Sequence, residues 1–266
     1  MRPGADAPAA IRLSPGGQGA NVAVRLARRG ARVRLITGLA DDATGRFLRE
    51  AVEAEGVELA AMPVAASGSV LVMLDADGER TMLSDRTPFV IDRLPDLIAD
   101  AGWIHVSGYA LRDANGATLA QALSHRPTSV RLSIGGGSVP PGRGAESLRQ
   151  LVVVADPDLL ILNDDEASAL APPLPGALTI VTAGAAGSSA TGPGFDRIDV
   201  VAPILDRPIV DSTGAGDAYA AEVIDQLIQL ADWPPTIDSL RGAMEVASAV
   251  GAALARIPGA QGPLRH

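Results

Sequence analysis

The sequence predicts an α/β fold: a mostly parallel sheet, covered by helices on both faces, with a small β lid. Three observations predict it. Short apolar runs alternate along the chain with longer amphipathic segments, the pattern of repeated βα units. The 266 residues are 47% hydrophobic, enough for one sizeable core. Glycine- and acid-rich turns recur where a strand gives way to a helix, and sheets of this class gather ligands there.

Taken in order, residues 20–29 read as a helix carrying Val22, Leu26 and Ala27, with Gly30 as its stop. Val33-Arg34-Leu35-Ile36 reads as a strand, and 43–55 as a helix with Phe47, Leu48, Ala51 and Val52 on one side and Gly56 behind it. The stretch 57–83 is β without helices. Within it 70–74 and 80–83 flank Asp75-Ala76-Asp77-Gly78, a hairpin signal, so the whole stretch is expected to be one small projecting sheet. Strands are then expected at 103–107, 129–134, 158–162 and 178–182, with helices at 92–100, 114–124, 145–151 and 164–170. Two short β segments near 188–201 and helices at 215–230 and 237–256 follow. The proline- and glycine-rich stretches 135–144 and 171–176 are expected loops. The organisation implied is a single domain over 1–266, with lid segments at about 5–15 and 57–90.

Composition excludes several chemistries. The chain has no cysteine, hence no disulfide, thiolate metal site or thiol nucleophile. It has no lysine, so a P-loop or Schiff-base lysine is impossible. His105, His125 and His266 are scattered and suggest no zinc cluster; His105 lies in an apolar strand and reads as a core residue. A net charge of −9 without a basic block argues against nucleic acid. Nothing in the sequence suggests a membrane span or leader, so a cytoplasmic protein is expected.

The run Asp211-Ser212-Thr213-Gly214-Ala215-Gly216-Asp217, directly before a helix, is the strongest signal. Small residues and helix N-terminal N–H groups suit an anion, and a carboxylate beside them suits proton removal from an attacking hydroxyl. Gly16-Gly17-Gln18-Gly19-Ala20-Asn21 precedes the first helix; it is either a glycine turn or a backbone approach to a ligand, with Asn21 offering a donor and an acceptor to a polyol. In Gly38 to Gly45, Asp42 or Thr44 reads as a helix cap. Asn163-Asp164-Asp165-Glu166 either caps a helix or places an acid for Mg²⁺. Thr182-Ala183-Gly184-Ala185-Ala186-Gly187 is either a turn or a phosphate cradle.

With Gly16–Asn21 as a first signature and Asp211–Asp217 as a second, the sequence resembles the PfkB, or ribokinase-like, family of carbohydrate kinases. The match in order and spacing covers nearly the whole chain. The resemblance implies transfer of the γ-phosphoryl group of ATP to a sugar hydroxyl, with Mg²⁺ and possible use of K⁺. It implies Asp217 as general base, and the N–H groups of Ala215, Gly216 and Asp217, behind Gly214, as an anion hole. It implies Gly17 and Asn21 at the sugar, and Asn163 and Glu166 in the Mg²⁺–phosphate region. Thr182, Gly184 and Gly187 would line the nucleotide site, Ser248 the adenine pocket, and Asp211 with the backbone near Gly259 a monovalent-cation loop. A homodimer through the lid is also implied.

The sequence departs from that pattern in places. Ala40 replaces a common glycine, Thr87-Pro88-Phe89 stands where Gly-Ala-Asn is frequent, and Gly135-Gly136-Gly137 where Asp-Pro is common. The family's first strand, ending in an acid that grips the sugar, has no counterpart in Met1 to Pro15, where Asp6 is the only acid. Near-normal ATP binding with weak sugar binding is the expectation. A nucleoside kinase and a non-catalytic nucleotide- or sugar-binding relative are the alternatives, and Arg80 and Arg86 near the lid leave a phosphosugar acceptor open. A dinucleotide oxidoreductase fits poorly, since no Gly-x-Gly-x-x-Gly follows an early strand.

Overall fold

The computed structural model describes residues 10–74, 80–91, 93–137, 143–206, 209–230, 232–257 and 259–261. The chain begins with α1 (Gln18–Arg28), β1 (Arg34–Leu39), α2 (Ala43–Ala54), β2 (Glu58–Pro63), β3 (Ser69–Leu74) and β4 (Arg80–Asp85). It continues with α3 (Leu94–Ile98), β5 (Trp103–Ser107), α4 (Gly108–Leu111), α5 (Gly116–Ser124), β6 (Arg131–Gly135), α6 (Arg143–Ala155) and β7 (Leu159–Asn163). It closes with α7 (Asp164–Ala169), β8 (Leu178–Thr182), β9 (Ser188–Gly192), β10 (Phe195–Val200), α8 (Ala215–Ile228) and α9 (Ile237–Leu254).

The main sheet has the order β10-β9-β8-β7-β6-β5. β5 to β8 are parallel, and β9 and β10 fold back antiparallel. β7 shows why its first four positions, Leu159 to Leu162, are all apolar. Leu159 and Ile161 pack toward α8 and α9 with Ile180, Ile224, Leu240 and Met244, while Leu160 and Leu162 enter the opposite core with Leu132, Leu148 and Val152. A strand covered on both faces has no polar side to display.

The ends of the parallel strands differ. At their N-terminal ends one guanidinium gathers the chain: Arg126 donates to the carbonyls of Leu123, Val130, Ala155 and Asp156 and to Asp158 Oδ2, over 2.7–3.2 Å. Asp158 also accepts from Arg131 Nη1 and the Leu132 N–H. At the C-terminal ends lie Gly135, Asn163 and Thr182, and Asn163 stands opposite Thr182 in register.

The expected single sheet over 57–83 is corrected. Residues 58–63 pair in parallel with β1, Arg34 opposite Glu58 through Leu39 opposite Pro63. Val57 and Leu59 join a separate core with Ala23, Val24 and Val52, and this burial draws β2 away from the hairpin. Only β3 and β4 form the exposed hairpin, with Leu71 opposite Leu83 and Val72 opposite Met82. The hairpin turn 75–78 and the first part of the other lid segment, 5–9, lie outside the described residues. Among helices, α3 is shorter than expected, α6 runs on to Ala155, and α4 was not anticipated.

The β1–β2 pair is a sheet of its own, separate from the main sheet. α1 packs on both β1 and β5. Beneath it the facing edges of β1 and β5 line a cleft of about 1880 Å³ that continues to Gly17, Asn21, Gly214 and Asp217. Val70, Val72 and Met82 of the hairpin overhang the same cleft.

Candidate active site

Asp217 sits in the first turn of α8, whose N-cap is Gly214 in the left-handed conformation, φ 77°. A Cβ on Gly214 would lie 2.3 Å from the Ala260 carbonyl oxygen, so glycine is required there by both conformation and space. Gly216 differs: its φ is ordinary and a Cβ there would meet nothing within 4 Å. Its missing side chain leaves open room before the helix end rather than relieving strain. The Ala215 N–H is turned to the Ser212 carbonyl at 3.2 Å. Of the three N–H groups expected to form the anion hole, those of Gly216 and Asp217 follow it in the first turn of α8.

One charged neighbour and one amide set the Asp217 carboxylate. Asn21, on α1, donates from Nδ2 to Asp217 Oδ2 at 2.7 Å. Loss of water raises the Asp217 pKa from its ordinary value, and the Asn21 hydrogen bond and Arg25 pull it back down. Gly17, at φ 102°, opens α1 and lines the cleft beside Asn21.

Glu166 is 8% exposed. It closes a capping box on α7: Glu166 Oε2 accepts from the Asn163 N–H at 2.9 Å, and Asn163 Oδ1 accepts from the Glu166 N–H at 2.8 Å. The capping reading of this motif therefore holds, and the carboxylate also feels Asp217. Its pKa is raised by burial first, and further by Asp165 and Asp217, against the lowering from the Asn163 N–H. A Cβ on Gly136 would fall 1.7 Å from Glu166 Oε2, and one on Gly137 would fall 2.8 Å from the Tyr109 nitrogen. Gly136 is thus what lets the chain pass this carboxylate, and Gly137 what lets it pass Tyr109.

The remaining sequence candidates divide. Asp211 Oδ1 accepts from the Thr213 N–H and Oδ2 from the Gly259 N–H, each at 2.9 Å, so the two segments do meet. Thr182 Oγ1 donates to the Leu162 carbonyl at 3.3 Å. Gly184 opens a 3₁₀ turn after β8 and Gly187 caps it. Gly187 is needed for packing as well, because a Cβ there would meet the Val200 carbonyl oxygen at 2.1 Å. Ser248 is half-buried on α9 between the core residue Ala247 and the exposed Ala249. Asp42 caps α2 as expected, accepting from the Gly45 N–H at 2.6 Å. His105 lies on the cleft wall with Nδ1 2.9 Å from Ser133 Oγ, and desolvation lowers its pKa to about 4. It is a neutral structural group at pH 7. The side chain of Arg80 and all of Asp6 lie outside the described residues.

Three contributors were missed from sequence. Arg25 lies four residues after Asn21 on the same helix face, a spacing that was available to read. Gly136 was marked only by its run of glycines. Gln261, which donates from Nε2 to Asn21 Oδ1 at 3.1 Å, has no local signal at all.

The family model described as pfkB family carbohydrate kinase matches residues 3–266. An ATP-dependent ribose-1-phosphate kinase of Halopiger xanaduensis is 30% identical, over 97% of this chain and 87% of that protein. A fructokinase of Salmonella typhimurium is 27% identical, over 95% and 89%. Among solved structures, an uncharacterized sugar kinase of Pyrococcus horikoshii in complex with ATP superposes with a TM-score of 0.79 at 21% identity, covering 94% of this chain and 87% of that one. A fructokinase of Vibrio cholerae O395 with fructose, ADP and calcium ion bound gives 0.73 at 22% identity, covering 92% and 86%. The fold is ribokinase-like, and the chain is a phosphotransferase with a hydroxyl group as acceptor. With the model matched over almost its whole length, the chain belongs to the pfkB family of carbohydrate kinases.

Proposed function

We propose that this protein is an ATP-dependent kinase that transfers the γ-phosphoryl group to a hydroxyl of a sugar or sugar derivative, with Asp217 as general base. One observation carries the reading: a desolvated carboxylate stands in the first turn of α8, with one oxygen held by Asn21. Asp217 Oδ2 stays with Asn21 while Oδ1 accepts the proton of the attacking hydroxyl. The N–H groups of Gly216 and Asp217, at the positive end of α8, face the charge that builds on the transferring phosphoryl group. Gly17 and Asn21 hold the acceptor, and Asn163, Thr182, Gly184, Gly187 and Ser248 lie on the nucleotide side.

The residues fit Mg²⁺. Glu166 offers one buried carboxylate that would hold the ion mostly through water, and phosphate oxygens would complete the shell. Among the described residues there is no self-contained cage of three or more metal-ligating side chains. Bound there, Mg²⁺ would neutralise phosphate charge. K⁺ would occupy the turn closed by Asp211 and Gly259. No described helix is long and apolar enough to cross a membrane; our reading places the enzyme in the cytoplasm, as a homodimer through the β3–β4 hairpin.

A phosphosugar acceptor is the second reading. The Arg86 guanidinium lies 3.6 Å from the Tyr109 ring centroid, and both residues line the cleft. A stacked arginine suits a phosphate dianion, and one relative is named for a phosphorylated sugar.

The test is a coupled assay of ATP turnover with sugars, sugar phosphates and nucleosides, run on the wild type and on Asp217→Asn. Asp217→Asn should lose about 10²–10⁴ in kcat with ATP affinity little changed. Wild-type kcat in that variant would remove Asp217 from the base role.

A further inference from the structure

The Asn21 amide is nearly symmetric in shape, and only its neighbours decide which end faces Asp217. If the amide were turned over, Oδ1 would face the carboxylate, acceptor against acceptor. Asp217 asks for a donor and receives Nδ2 at 2.7 Å. The opposite end of the amide, Oδ1, receives Gln261 Nε2 at 3.1 Å. Asn21 is 4% and Gln261 3% exposed, so water has little access to this pair.

The Gln261 backbone and the two residues before it are held in turn. Its backbone carbonyl accepts from Arg28 Nη1 at 2.6 Å. Arg28 is gripped in turn by both oxygens of Glu55, at 2.8 and 2.6 Å. The preceding residue, Ala260, lies directly against the Gly214 N-cap of α8, and Gly259 is tied to Asp211. The segment 259–261 therefore rests on the same helix end that carries Asp217. Gln261 Oε1 is buried with no hydrogen-bond partner among the described residues. Among the described residues only the donor end of this amide is used, and it is used on Asn21.

We propose that Gln261 is a positioning residue: it orients the Asn21 amide so that Nδ2 faces Asp217, which leaves Asp217 Oδ1 for the acceptor hydroxyl. The proposal rests on the reading of Asp217 as the base. Gln261→Met keeps length and bulk but removes the donor. Gln261→Glu, when ionised, presents an acceptor and drives the Asn21 amide to turn over. Without the Asn21 donor, Asp217 takes up its proton at higher pH, so the acid limb of the kcat–pH profile moves upward.

The experiment measures kcat, KM for both substrates and the kcat–pH profile for the wild type, Gln261→Met and Gln261→Glu, with nucleotide affinity by calorimetry. The expected result is a fall in kcat at neutral pH of about ten- to hundredfold, the worth of one hydrogen bond to a charged group. It is larger for Gln261→Glu, with an upward-shifted acid limb and unchanged ATP affinity. A fall equal at every pH, or a wild-type profile, overturns the proposal. Should Gln261→Met fail to fold, the wild-type chain gives the answer by NMR: the side-chain amide nitrogens of Asn21 and Gln261 should shift together along the acid limb, and independence of the two overturns it. Asp217→Asn separates the two failures. If that variant is inactive while the Gln261 variants behave as wild type, only the positioning role is lost; if Asp217→Asn is fully active, the base assignment fails.

Discussion

Two ionisable side chains on the cleft share one physical cause and shift in opposite directions. Loss of water disfavours the charged form, so His105 is pushed down to about 4 while Asp217 is pushed up. Their effects on stability have opposite sign. The unfolded imidazole binds a proton near its ordinary 6.5 and the folded one only near 4, so this contribution is whole above 6.5 and is lost as pH falls through that window. Asp217 and Glu166, whose values are raised, contribute stability that is whole below the unfolded value and lost as pH rises through the folded one. We expect His105→Gln to remove at most about 2 kcal/mol of the stability change between pH 7 and pH 5. Urea unfolding at the two pH values checks this, and an unaltered pH slope would show that His105 is not the group responsible. At this scale the sequence told much about Asp217 and Asn21, because each sits in a dense local pattern of small residues. Gln261 was illegible because its partner Asn21 is 240 positions away and nothing around it marks the contact.

Among the elements, the alternation of strands and helices was readable because burial on two faces leaves a plain apolar signature, as in β7. Pairing was not readable for β2. A β segment that follows a helix and precedes a hairpin reads the same whether it joins the hairpin or returns to β1, and a shared core with Ala23, Val24 and Val52 decided it. The split sheet has a measurable outcome. β1 and β5 each have one paired edge and one edge facing the cleft. Their cleft-facing amides should exchange hydrogen at least about tenfold faster than those bonded between β6 and β7, since exchange follows local opening. Equal protection at the two places would mean that the two sheets are joined in solution.

On the scale of the whole molecule, the hairpin presents two different faces. Val70, Val72 and Met82 overhang the cleft, whereas Leu71 and Leu83, each 57% exposed, form the other side. Exposed apolar strands of this kind invite a partner. Leu71→Asp should therefore convert a dimer to a monomer in light scattering without touching the overhanging face, and a wild type that is monomeric at every concentration would refute the dimer. That the hairpin exists was legible from its turn signal; which face looks inward was not, because alternation fixes two faces without naming the one that meets the cleft. The Arg126 knot has a different consequence. It holds the N-terminal ends of the strands, the end of the sheet remote from Asn163 and Thr182. Beside the cleft, at the opposite end, stands the desolvated Asp217, a costly group for the fold to hold. A fold that anchors its strands at the end remote from the cleft can accept substitutions around the cleft while the tolerance for them is held elsewhere, so new specificities come within evolutionary reach.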